Sequence, residues 1–559
     1  MLSPKKLFVL LFVLLSSLSL FAQSLPDSVT AKIDKYFAFW NNANSPGFAI
    51  GIVKGDSLIY AKGYGMANLE YNVPITPATI FHMASISKQF TAYSIVLLAA
   101  QGKLKLDDDI RKYLPWFPDL HETITIRHLL SHTSGIRDQW QLLAIAGTRI
   151  DDVITQEQIV KIISQQQALN FKPGSAYTYS NSGFTLLAEI VKAVTGQTLR
   201  TFTDSAIFKP LGMKSTHFHD DYTEIVKDRA YSYQREKLTK FSNSILSYSN
   251  AGATSLFTNT NDLAKWVSNF YRPVVGNADL IKQLTTPATL NNGATLTYAL
   301  GITSDTYKGW RQFSHGGADA GFRTYITVFP DLKMGFIVFS NVGDANTSQK
   351  AYQLADIFIK DTSGKSTPAP IAIDSSRAWI KDTAVAAIIM GNYISEDGSQ
   401  FKFVLRNRVL TWDRGGRSDV LYPGPADSFT VAKSPEVKFV FNTTNKKDIR
   451  VDEYWPGNHR LLVKYAADSL SVAALHAYEG DYYCPELGCT YTIQLKDQRL
   501  VMTNRKYDDS FLKLVGPDHL YSDYWWMQHL FITRNARHVI TGFEVNDGRV
   551  MHLRFNKVK

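Results

Sequence analysis

A polar, proline-bearing stretch at 361–376 divides the 559-residue chain into two parts with different apolar patterns. Such a composition is typical of a linker between folded domains. Before this stretch, some segments carry apolar residues at helical spacing and others are short apolar runs, a mixture that predicts an α/β domain. After it, short alternating segments are separated by polar turns, which is the pattern of all-β domains. We therefore expect at least two kinds of domain.

The first part shows the elements of one sheet with helices between its strands. Two apolar segments at 48–53 and 58–64 are joined by Lys54-Gly55-Asp56, which predicts a β-hairpin. We expect this hairpin to form a single sheet with strands that come late in the same part. Helices are predicted at 87–100, 183–194, 261–270 and 351–359, and late strands at 298–302, 324–329 and 334–339.

The second part contains a weak internal repeat. Gly391-Asn392-Tyr393 begins one copy and Gly480-Asp481-Tyr482 begins the other, and each is followed by two alternating segments. Each copy later contains Asp-Ser-Phe, at 427–429 and at 509–511. Repeated units of about 90 residues with this pattern predict two small antiparallel β-barrels.

The N-terminus predicts export. Lys5-Lys6 precede an apolar run at 7–21, and Ala22-Gln23-Ser24 follow it, which is the composition of a secretory signal peptide. A membrane anchor is the alternative, but the run is short for a spanning helix and is interrupted by three serines. No cysteine follows the run, so a lipoprotein anchor is not expected. We therefore expect a periplasmic or secreted protein without a membrane span after cleavage.

The charge pattern argues against a nucleic-acid partner. The formal net charge of +10 is spread thinly along the chain, and no long run of like charges occurs. Nucleic-acid-binding proteins concentrate their basic residues in a patch or stripe. Binding of nucleic acid is therefore not expected.

The two cysteines, Cys484 and Cys489, flank the turn-prone tetrapeptide Pro-Glu-Leu-Gly. In an oxidising compartment we expect them to close a small disulfide loop. A metal site at the cysteines is not expected, because further ligands are lacking nearby in the sequence. His128 and His132 have the i, i+4 spacing of a zinc pair, but no third ligand is placed convincingly. Neither a metal nor another cofactor is predicted.

The motif Ser85-Ile86-Ser87-Lys88 is the strongest candidate for chemistry because it opens a long apolar helix. Ser-x-x-Lys also occurs at 3–6, in the expected signal peptide, and at 399–402, in the β-patterned tail. Residues three apart share one face of a helix, so Lys88 can reach the Ser85 hydroxyl. The helix N-terminus supplies N–H groups where an oxyanion would form. Burial would lower the pKa of Lys88 and let it take the serine proton.

Two further motifs complete the candidate site. Tyr179-Ser180-Asn181 offers a phenol for proton transfer and an amide for a substrate carbonyl, although the same tripeptide recurs at 248–250. His315-Gly316-Gly317 precedes an apolar strand, and two glycines let a substrate backbone approach a strand edge. His315 is expected to place a positive or hydrogen-bond-donating group over the site.

The order Ser-x-x-Lys, Tyr-x-Asn, His-x-Gly resembles the serine β-lactamase and penicillin-binding protein superfamily. The resemblance is to its class C-like branch, which includes D-aminopeptidases, D,D-carboxypeptidases, esterases and transesterases. It covers about 45–350 and extends to the segments 127–135, 322–323 and 339–341. The resemblance implies that Ser85 is the acylated nucleophile, that Lys88 and Tyr179 are the proton-transfer pair, and that Asn181 orients the substrate.

The resemblance also assigns the residues of the late strands. The backbone N–H groups of Ser85 and Ala318 would form the oxyanion hole, beside Gly316 and Gly317. Arg323 is a candidate for binding a substrate carboxylate, with a structural hydrogen bond as its alternative. His315 stands where class C β-lactamases carry lysine, and this departure favours the peptidase and esterase members over a dedicated β-lactamase.

The implied fold is an α/β serine hydrolase domain of β-lactamase and penicillin-binding protein type, with an antiparallel sheet, helices on both faces and a helical lobe. The layout resembles the D-aminopeptidases of the superfamily, in which a barrel loop reaches the active site and selects for a free substrate N-terminus. The barrels are therefore expected to alter substrate selection more than the chemical machinery. The expected boundaries are a signal peptide at 1–23, the hydrolase domain at 24–362, a linker at 363–380 and β-barrels at 381–470 and 471–559.

The expected activity is that of an exported serine hydrolase that works through an acyl-enzyme. A peptidase acting on D-amino-acid-containing or cell-wall-type peptides is the first expectation. A carboxylesterase or a weak β-lactamase of the same fold is the alternative among enzymes, and a catalytically silent ligand-binding protein is the alternative of another class. The expected partners are small peptide or ester substrates, with peptidoglycan fragments among the candidates.

Overall fold

The chain is described by a computed structural model. The predicted signal peptide lies outside the described residues, as does most of the predicted linker, and export stays a prediction from the sequence. Within the described part of the chain, no helix has both the length and the apolar character that crossing a bilayer requires. The description covers 25–558 apart from 364–377, 379, 381–382, 396–398, 415–416, 426, 446–448, 456–457, 466–470 and 517.

One antiparallel sheet of six strands forms the centre of the first part. The N-terminal hairpin lies beside the late strands in this sheet, as predicted. Every residue at 48–53 is buried, because successive side chains of the strand enter cores on opposite faces of the sheet. In spatial order the strands are Thr303–Tyr307, Trp310–Asp319, Phe322–Phe329, Met334–Ser340, Phe48–Lys54 and Ser57–Tyr64.

Helices cover both faces of the sheet. Asp27–Phe37 and Thr347–Phe358 pack on one face, and Thr260–Asn269 packs on the other. The four predicted helices are confirmed with small shifts of their ends. The α-helices of this part are Asp27–Phe37, Ser87–Ala100, Ile126–Leu130, Gln139–Ile145, Gln156–Ser164, Asn181–Thr195, Leu199–Thr203, Lys209–Leu211, Thr260–Asn269, Ala278–Thr285 and Thr347–Phe358.

The strand predicted at 298–302 is wrong. The regular strand begins at Thr303, and Tyr298 forms only an isolated bridge to it. Gly301 has a φ of +72°, a left-handed conformation that interrupts an extended strand. A Cβ at Gly301 would lie 2.8 Å from the carbonyl oxygen of Lys88. Glycine therefore lets this segment turn closely against the helix that carries Lys88.

The second part forms two all-β units. The first is a closed barrel of eight antiparallel strands, and the second is a nearly closed barrel of nine. The strands of the first are Gly391–Ser395, Gln400–Arg406, Val409–Arg414, Arg417–Pro423, Ser428–Val431, Ser434–Asn442, Arg450–Trp455 and Asn458–Tyr465. The strands of the second are Gly480–Cys484, Cys489–Lys496, Arg499–Asn504, Tyr507–Phe511, Lys513–Gly516, His519–Tyr521, His529–Arg534, Ile540–Asp547 and Val550–Lys557.

The predicted repeat corresponds to the starts of the two barrels. Gly391 and Gly480 each begin the first strand of a barrel, with φ values of +139° and +146°. The tyrosine two residues later is fully buried in each copy. Its hydroxyl donates a hydrogen bond to the carbonyl oxygen four residues earlier, at 2.8 Å in Tyr393 and 2.6 Å in Tyr482. The two copies are therefore alike in structure as well as in sequence.

The helices from Ser87–Ala100 to Lys209–Leu211 form the helical lobe of the first part. The second barrel shares its hydrophobic core with this helical lobe, whereas the first barrel has a core of its own. A buried ion pair fixes this contact, because Arg137 donates to both carboxylate oxygens of Glu486 at 2.6 Å. The same guanidinium donates to the carbonyl oxygens of Met551 and His552. The second barrel is thus packed directly against the lobe that carries part of the candidate site.

Candidate active site

Ser85 lies on a single 3₁₀ turn, Ala84–Ile86, that runs directly into the helix Ser87–Ala100. Ala84 has a φ of +49°, a left-handed conformation that is strained for a residue with a Cβ and is often found at functional sites. The turn brings Ser85 into the wall of a cavity of about 490 Å³. Strain in the backbone is therefore located immediately beside the candidate nucleophile.

The Lys88 amine is completely buried and is surrounded by three oxygen atoms. Its Nζ lies 3.1 Å from Ser85 Oγ, 2.8 Å from Asn181 Oδ1 and 2.6 Å from the carbonyl oxygen of Ala253. A neutral amine has two N–H groups and one lone pair. Asn181 and Ala253 can accept the two N–H groups, which leaves the lone pair to the hydroxyl of Ser85.

Burial lowers the pKa of Lys88 to about 7, because an ammonium group loses its hydration in the interior. The carboxylates of Asp319 and Asp138 act in the opposite direction, and Arg549 reinforces the lowering. A large fraction of the amine is therefore neutral near pH 7. In that state Lys88 can take the proton of Ser85.

The Tyr179 phenol completes the group around Ser85. Its ring centroid lies 4.9 Å from Lys88 Nζ. Its hydroxyl is buried and makes no full hydrogen bond within the described residues. Burial raises the pKa of Tyr179 above its usual range, and the proximity of Ser85 only partly offsets this. Tyr179 is thus a neutral phenol with a proton to give to a leaving group.

Asn181 begins the helix Asn181–Thr195 and connects Lys88 to Asp138. Its Oδ1 accepts from Lys88, its Nδ2 donates to Asp138 Oδ2 at 2.7 Å, and its backbone N–H donates to the same carboxylate oxygen at 2.8 Å. Asp138 in turn caps the helix Gln139–Ile145. These bonds fix the orientation of the Asn181 amide at the cavity wall.

The rings of His132, Tyr298 and His315 form a hydrogen-bonded chain. The hydrogen bonds along this chain determine which nitrogen of each histidine carries a proton. The backbone N–H of Ser180 donates to His132 Nδ1, so Nε2 of that ring carries the proton and donates to the Tyr298 hydroxyl at 3.2 Å. The Tyr298 hydroxyl then donates to His315 Nε2 at 3.0 Å. His315 Nδ1 carries the remaining proton and donates to the carbonyl oxygen of Gly316 at 2.7 Å.

The structure places His315 differently from the expected positive or donor group over the site. Burial, reinforced by the Lys88 charge, lowers the pKa of His315 to about 4, so the ring is neutral at pH 7. Both of its nitrogens are already engaged within the protein. His315 lines the cavity as a neutral ring, and it is connected through Tyr298 to His132. The ring centroid of His132 lies 4.1 Å from that of Tyr179.

The end of the strand Trp310–Asp319 forms an open edge beside Ser85. The neighbouring strand pairs only as far as Ser314, so the pairing on that side stops before His315. A Cβ at Gly317 would lie 2.2 Å from Thr324 Oγ1 and 2.3 Å from the carbonyl oxygen of Met83. Glycine is therefore needed so that the strand can lie against the turn that carries Ser85. The open edge, with Ala318, lines the cavity and can receive an extended substrate.

Arg549 reaches the cavity from the second barrel, on the turn between the strands Ile540–Asp547 and Val550–Lys557. Its backbone is anchored to the helical lobe, since its N–H donates to Gln141 and its carbonyl oxygen accepts from Asp138 and Asn170. Its guanidinium lies 4.9 Å from the Tyr179 ring centroid. The guanidinium is 3.7 Å from Asp138 Oδ2, and the side chain is 45% exposed. A barrel turn thus brings a positive charge to the candidate site.

The structure places Arg323 differently from the substrate-binding position considered from the sequence. Its Nη1 donates to the carbonyl oxygens of Ala320 and Phe322, and the residue is not part of the cavity wall among the described residues. These contacts are the structural hydrogen bonds that the sequence left open as the alternative role of Arg323. Arg323 stabilises the turn between two strands.

The remaining sequence candidates lie outside the cavity. Cys484 and Cys489 stand directly opposite each other in neighbouring strands, and both are free thiols in the structure. The disulfide between them stays a prediction from the sequence. His128 accepts the backbone N–H of Thr125 in a capping box, while His132 belongs to the ring chain. The i, i+4 histidines therefore have separate structural contacts.

Four residues near the reacting groups were not found from the sequence: Asp138, Tyr298, Asp319 and Arg549. Asp319 lines the cavity, accepts a hydrogen bond from Thr254 and has a pKa raised by burial. Asp138 had only a weak signal, as an acidic residue that opens a helix. Arg549 follows the turn signal Asn-Asp-Gly, but nothing local connects that turn to Ser85, which lies 464 residues earlier in the chain.

Comparison with known proteins gives a consistent assignment. A family model described as Beta-lactamase matches residues 32–357, which is more than half of the chain. A D-aminopeptidase of Brucella anthropi is 28% identical over 339 residues, which are 60% of this chain and 63% of that protein. The chain thus matches less than two thirds of that relative. A penicillin-binding protein of Bacillus subtilis strain 168 is 26% identical over 401 residues, 69% of this chain and 88% of that protein.

A solved structure resembles the fold over a longer span. It is the octameric penicillin-binding protein homologue of Pyrococcus abyssi, with a TM-score of 0.54 and 24% sequence identity. The similarity covers 78% of this chain and 99% of that one. At this level of identity, the likeness concerns the fold alone.

Proposed function

The chain belongs to the β-lactamase family, and from this membership we propose that it is a serine peptidase that forms an acyl-enzyme on Ser85. Its substrates are short peptides that contain D-amino acids or that derive from cell-wall-type polymers. The observation that carries the proposal is the contact between the Ser85 hydroxyl and a buried amine with a pKa of about 7. The distant D-aminopeptidase and penicillin-binding protein relatives support the substrate class.

Acylation follows from the positions of three groups. The neutral Lys88 amine takes the proton of Ser85 as Oγ attacks the substrate carbonyl carbon. The resulting oxyanion is held by the backbone N–H groups of Ser85 and Ala318. Tyr179 gives its proton to the leaving nitrogen as the scissile C–N bond breaks, and the proton on Lys88 restores the phenol. Water then enters by the same steps in reverse and releases the acid.

Arg549 supports a narrower choice of substrate. Its guanidinium makes no side-chain hydrogen bond within the described residues and has one distant ion pair, to Asp138. A cation in a partly enclosed cavity attracts a carboxylate and repels an ammonium group. We infer that the substrate presents a free carboxylate near the scissile bond. The activity is then that of a carboxypeptidase type, in contrast to the selection of free N-termini that the resemblance implied.

The test is a matched set of short D-alanyl peptides, each with a free or an amidated C-terminus, together with D-aminoacyl p-nitroanilides and p-nitrophenyl esters. We expect the free-acid peptides to be cleaved with the highest kcat/KM and the amidated peptides to lose at least about tenfold, the size of one charge-assisted contact. Arg549→Gln should remove this difference while the small esters are still hydrolysed. Turnover confined to the p-nitroanilides with a free amine would contradict the choice of substrate. If none of the compounds were turned over, the proposal that the protein is an enzyme would be contradicted.

A further inference from the structure

Three metal-binding side chains converge outside the catalytic cavity. His217 lies on the short strand His217–Phe218, and His219 follows that strand directly. Glu224 lies in the loop that comes next. Glu224 Oε2 is 3.7 Å from His217 Nε2 and 3.4 Å from His219 Nδ1. The three ligand atoms all lie within 4.8 Å of one another. None of the three residues is part of the cavity that contains Ser85.

The two ring nitrogens that face Glu224 are buried without a hydrogen-bond partner in the described part of the chain. His219 is 1% exposed, so water from the bulk cannot easily satisfy its Nδ1. Buried polar side-chain atoms are nearly always hydrogen-bonded, and a pair of exceptions aimed at one carboxylate needs a cause. A cation between the three atoms would satisfy both nitrogens at once.

The spacing of the three atoms suits zinc. Zinc bonds to imidazole nitrogen and carboxylate oxygen at about 2.0–2.2 Å, so neighbouring ligand atoms of a tetrahedral site are roughly 3.3–3.6 Å apart. The two distances to Glu224 Oε2 are 3.4 and 3.7 Å, close to this range. Glu224 also lines a separate cavity of about 550 Å³, which gives a water molecule access as a fourth ligand.

The charges around the cluster set the protonation of the ligands. Arg200 donates to both oxygens of Glu224 and lowers the pKa of its carboxyl, so that it is ionised. Arg200 also orients the carboxylate as an outer-shell partner does in metal sites. The positive charges of Arg200 and Arg229 disfavour the binding of a cation at the cluster, whereas the carboxylates of Asp220 and Glu224 favour it.

We propose that His217, His219 and Glu224 bind one zinc ion, with water as the fourth ligand. The strand His217–Phe218 pairs with Leu256–Thr258, which pairs with Phe81–His82 directly before the turn that carries Ser85. The ion would thus hold the loop of Glu224 against the small sheet that supports that turn.

The test uses the full-length protein after treatment with a chelator, titrated with zinc chloride by calorimetry and followed by thermal unfolding. We expect one zinc per chain and a higher Tm with zinc. His219→Ala and Glu224→Gln should each weaken zinc binding by at least about tenfold, the lower limit seen even for outer-shell changes. Cobalt in place of zinc should give the visible absorption of a tetrahedral site, and this signal should be lost in both variants.

The control is His476→Ala, because His476 is exposed and forms a similar contact with Glu479 at 2.6 Å but has no third metal-binding side chain beside it among the residues that the structure describes. Its zinc binding should equal that of the wild type. The double variant Cys484→Ser and Cys489→Ser should also retain the zinc. Glu224 is partly exposed, so Glu224→Gln keeps the test valid if His219→Ala does not fold. An unchanged affinity in Glu224→Gln, or no zinc bound by the wild type, would overturn the proposal.

Discussion

Lys88 is the residue whose environment makes the clearest prediction about pH. Only its neutral form can take the Ser85 proton, and burial lowers the pKa of Lys88 to about 7. The fraction of neutral amine rises with pH, so the rate of acylation should rise through about pH 7 and then level off. In Lys88→Arg the side chain stays protonated and cannot act as a base, so the rate of acylation should fall by about 10²–10⁴-fold. A rate that is flat from about pH 6 to pH 8 in the wild type would speak against Lys88 as the base.

Tyr179 and Tyr248 allow a matched comparison, because both begin a Tyr-Ser-Asn tripeptide. Tyr179 lines the cavity next to Lys88, whereas Tyr248 packs against Trp140 and is not part of the cavity wall in the described residues. Tyr179→Phe should lower kcat by about 10²–10⁴-fold, the range of a lost general acid. Tyr248→Phe should have a much smaller effect in the same assay. The opposite ranking would show that the other tripeptide carries the chemistry.

At the scale of single residues, the sequence could predict those whose motif is local. Ser85 and Lys88 are three residues apart on one helix, and the structure places them in contact. The state of His315 could not be predicted in this way. It depends on Tyr298 and, through it, on His132, a residue distant in sequence and joined to it only by the fold.

The strand Trp310–Asp319 is the element that closes the site, and Gly317 determines how near it lies to the turn of Ser85. In Gly317→Ala the new Cβ would meet backbone and side-chain oxygens at 2.2–2.3 Å, so the strand must move away. We expect a loss of about 1–3 kcal/mol in the free energy of unfolding, as for other overpacked sites. The measurement is denaturant unfolding.

The control for Gly317→Ala is the adjacent change, Gly316→Ala. The nearest atom to a Cβ at Gly316 is 3.4 Å away, on the side chain of Tyr325. Its free energy of unfolding should therefore fall by clearly less than that of Gly317→Ala. Equal losses in the two variants would show that close packing against the turn is not what requires glycine at 317.

At the scale of elements, apolar periodicity predicted four of the eleven α-helices described in the first part, together with the N-terminal hairpin and the late strands at 324–329 and 334–339. The failure at 298–302 has a local cause, since the left-handed Gly301 interrupts an apolar run that otherwise has the pattern of a strand. The reason for Gly317 also differs from the prediction. The sequence suggested room for a substrate backbone, whereas the structure shows contact between two segments of the chain itself.

At the scale of the whole molecule, the second barrel and the helical lobe behave as one packed unit. The pair Arg137–Glu486 is buried at their interface, with side-chain exposures of 1% and 7%. Glu486→Gln leaves the arginine charge buried without its partner and should lower the free energy of unfolding by about 3–5 kcal/mol. Replacing both residues by apolar ones, Arg137→Met with Glu486→Leu, should recover part of that loss.

The control for Glu486→Gln is Glu544→Gln in the same barrel. Glu544 pairs with Arg554 at 3.4 Å, and the arginine is 65% exposed. Removing an exposed pair should cost no more than about 1 kcal/mol. If Glu486→Gln were as stable as Glu544→Gln in chemical denaturation, the interface would not depend on this ion pair.

The sequence predicted the barrels, with an influence on substrate selection, but not how closely one of them is attached to the first part. The linker at 361–376 and the position of all motifs before 342 suggested a separable hydrolase part. The shared core shows instead that removing 371–559 would expose an apolar face of the helical lobe. The tip of the barrel turn at Arg549 belongs to the cavity wall, which no pattern along the chain could indicate.

The most direct test of the account is to locate the covalent adduct. The full-length protein is treated with a fluorophosphonate or a labelled penicillin, digested and analysed by mass spectrometry, alongside Ser85→Ala and Ser399→Ala. We predict a single adduct, on the peptide that contains Ser85, in the wild type and in Ser399→Ala. Ser85→Ala should carry no adduct and should lose peptide turnover by several orders of magnitude while its thermal unfolding is unchanged. An adduct on another residue, or more than a tenth of the turnover in folded Ser85→Ala, would contradict the account.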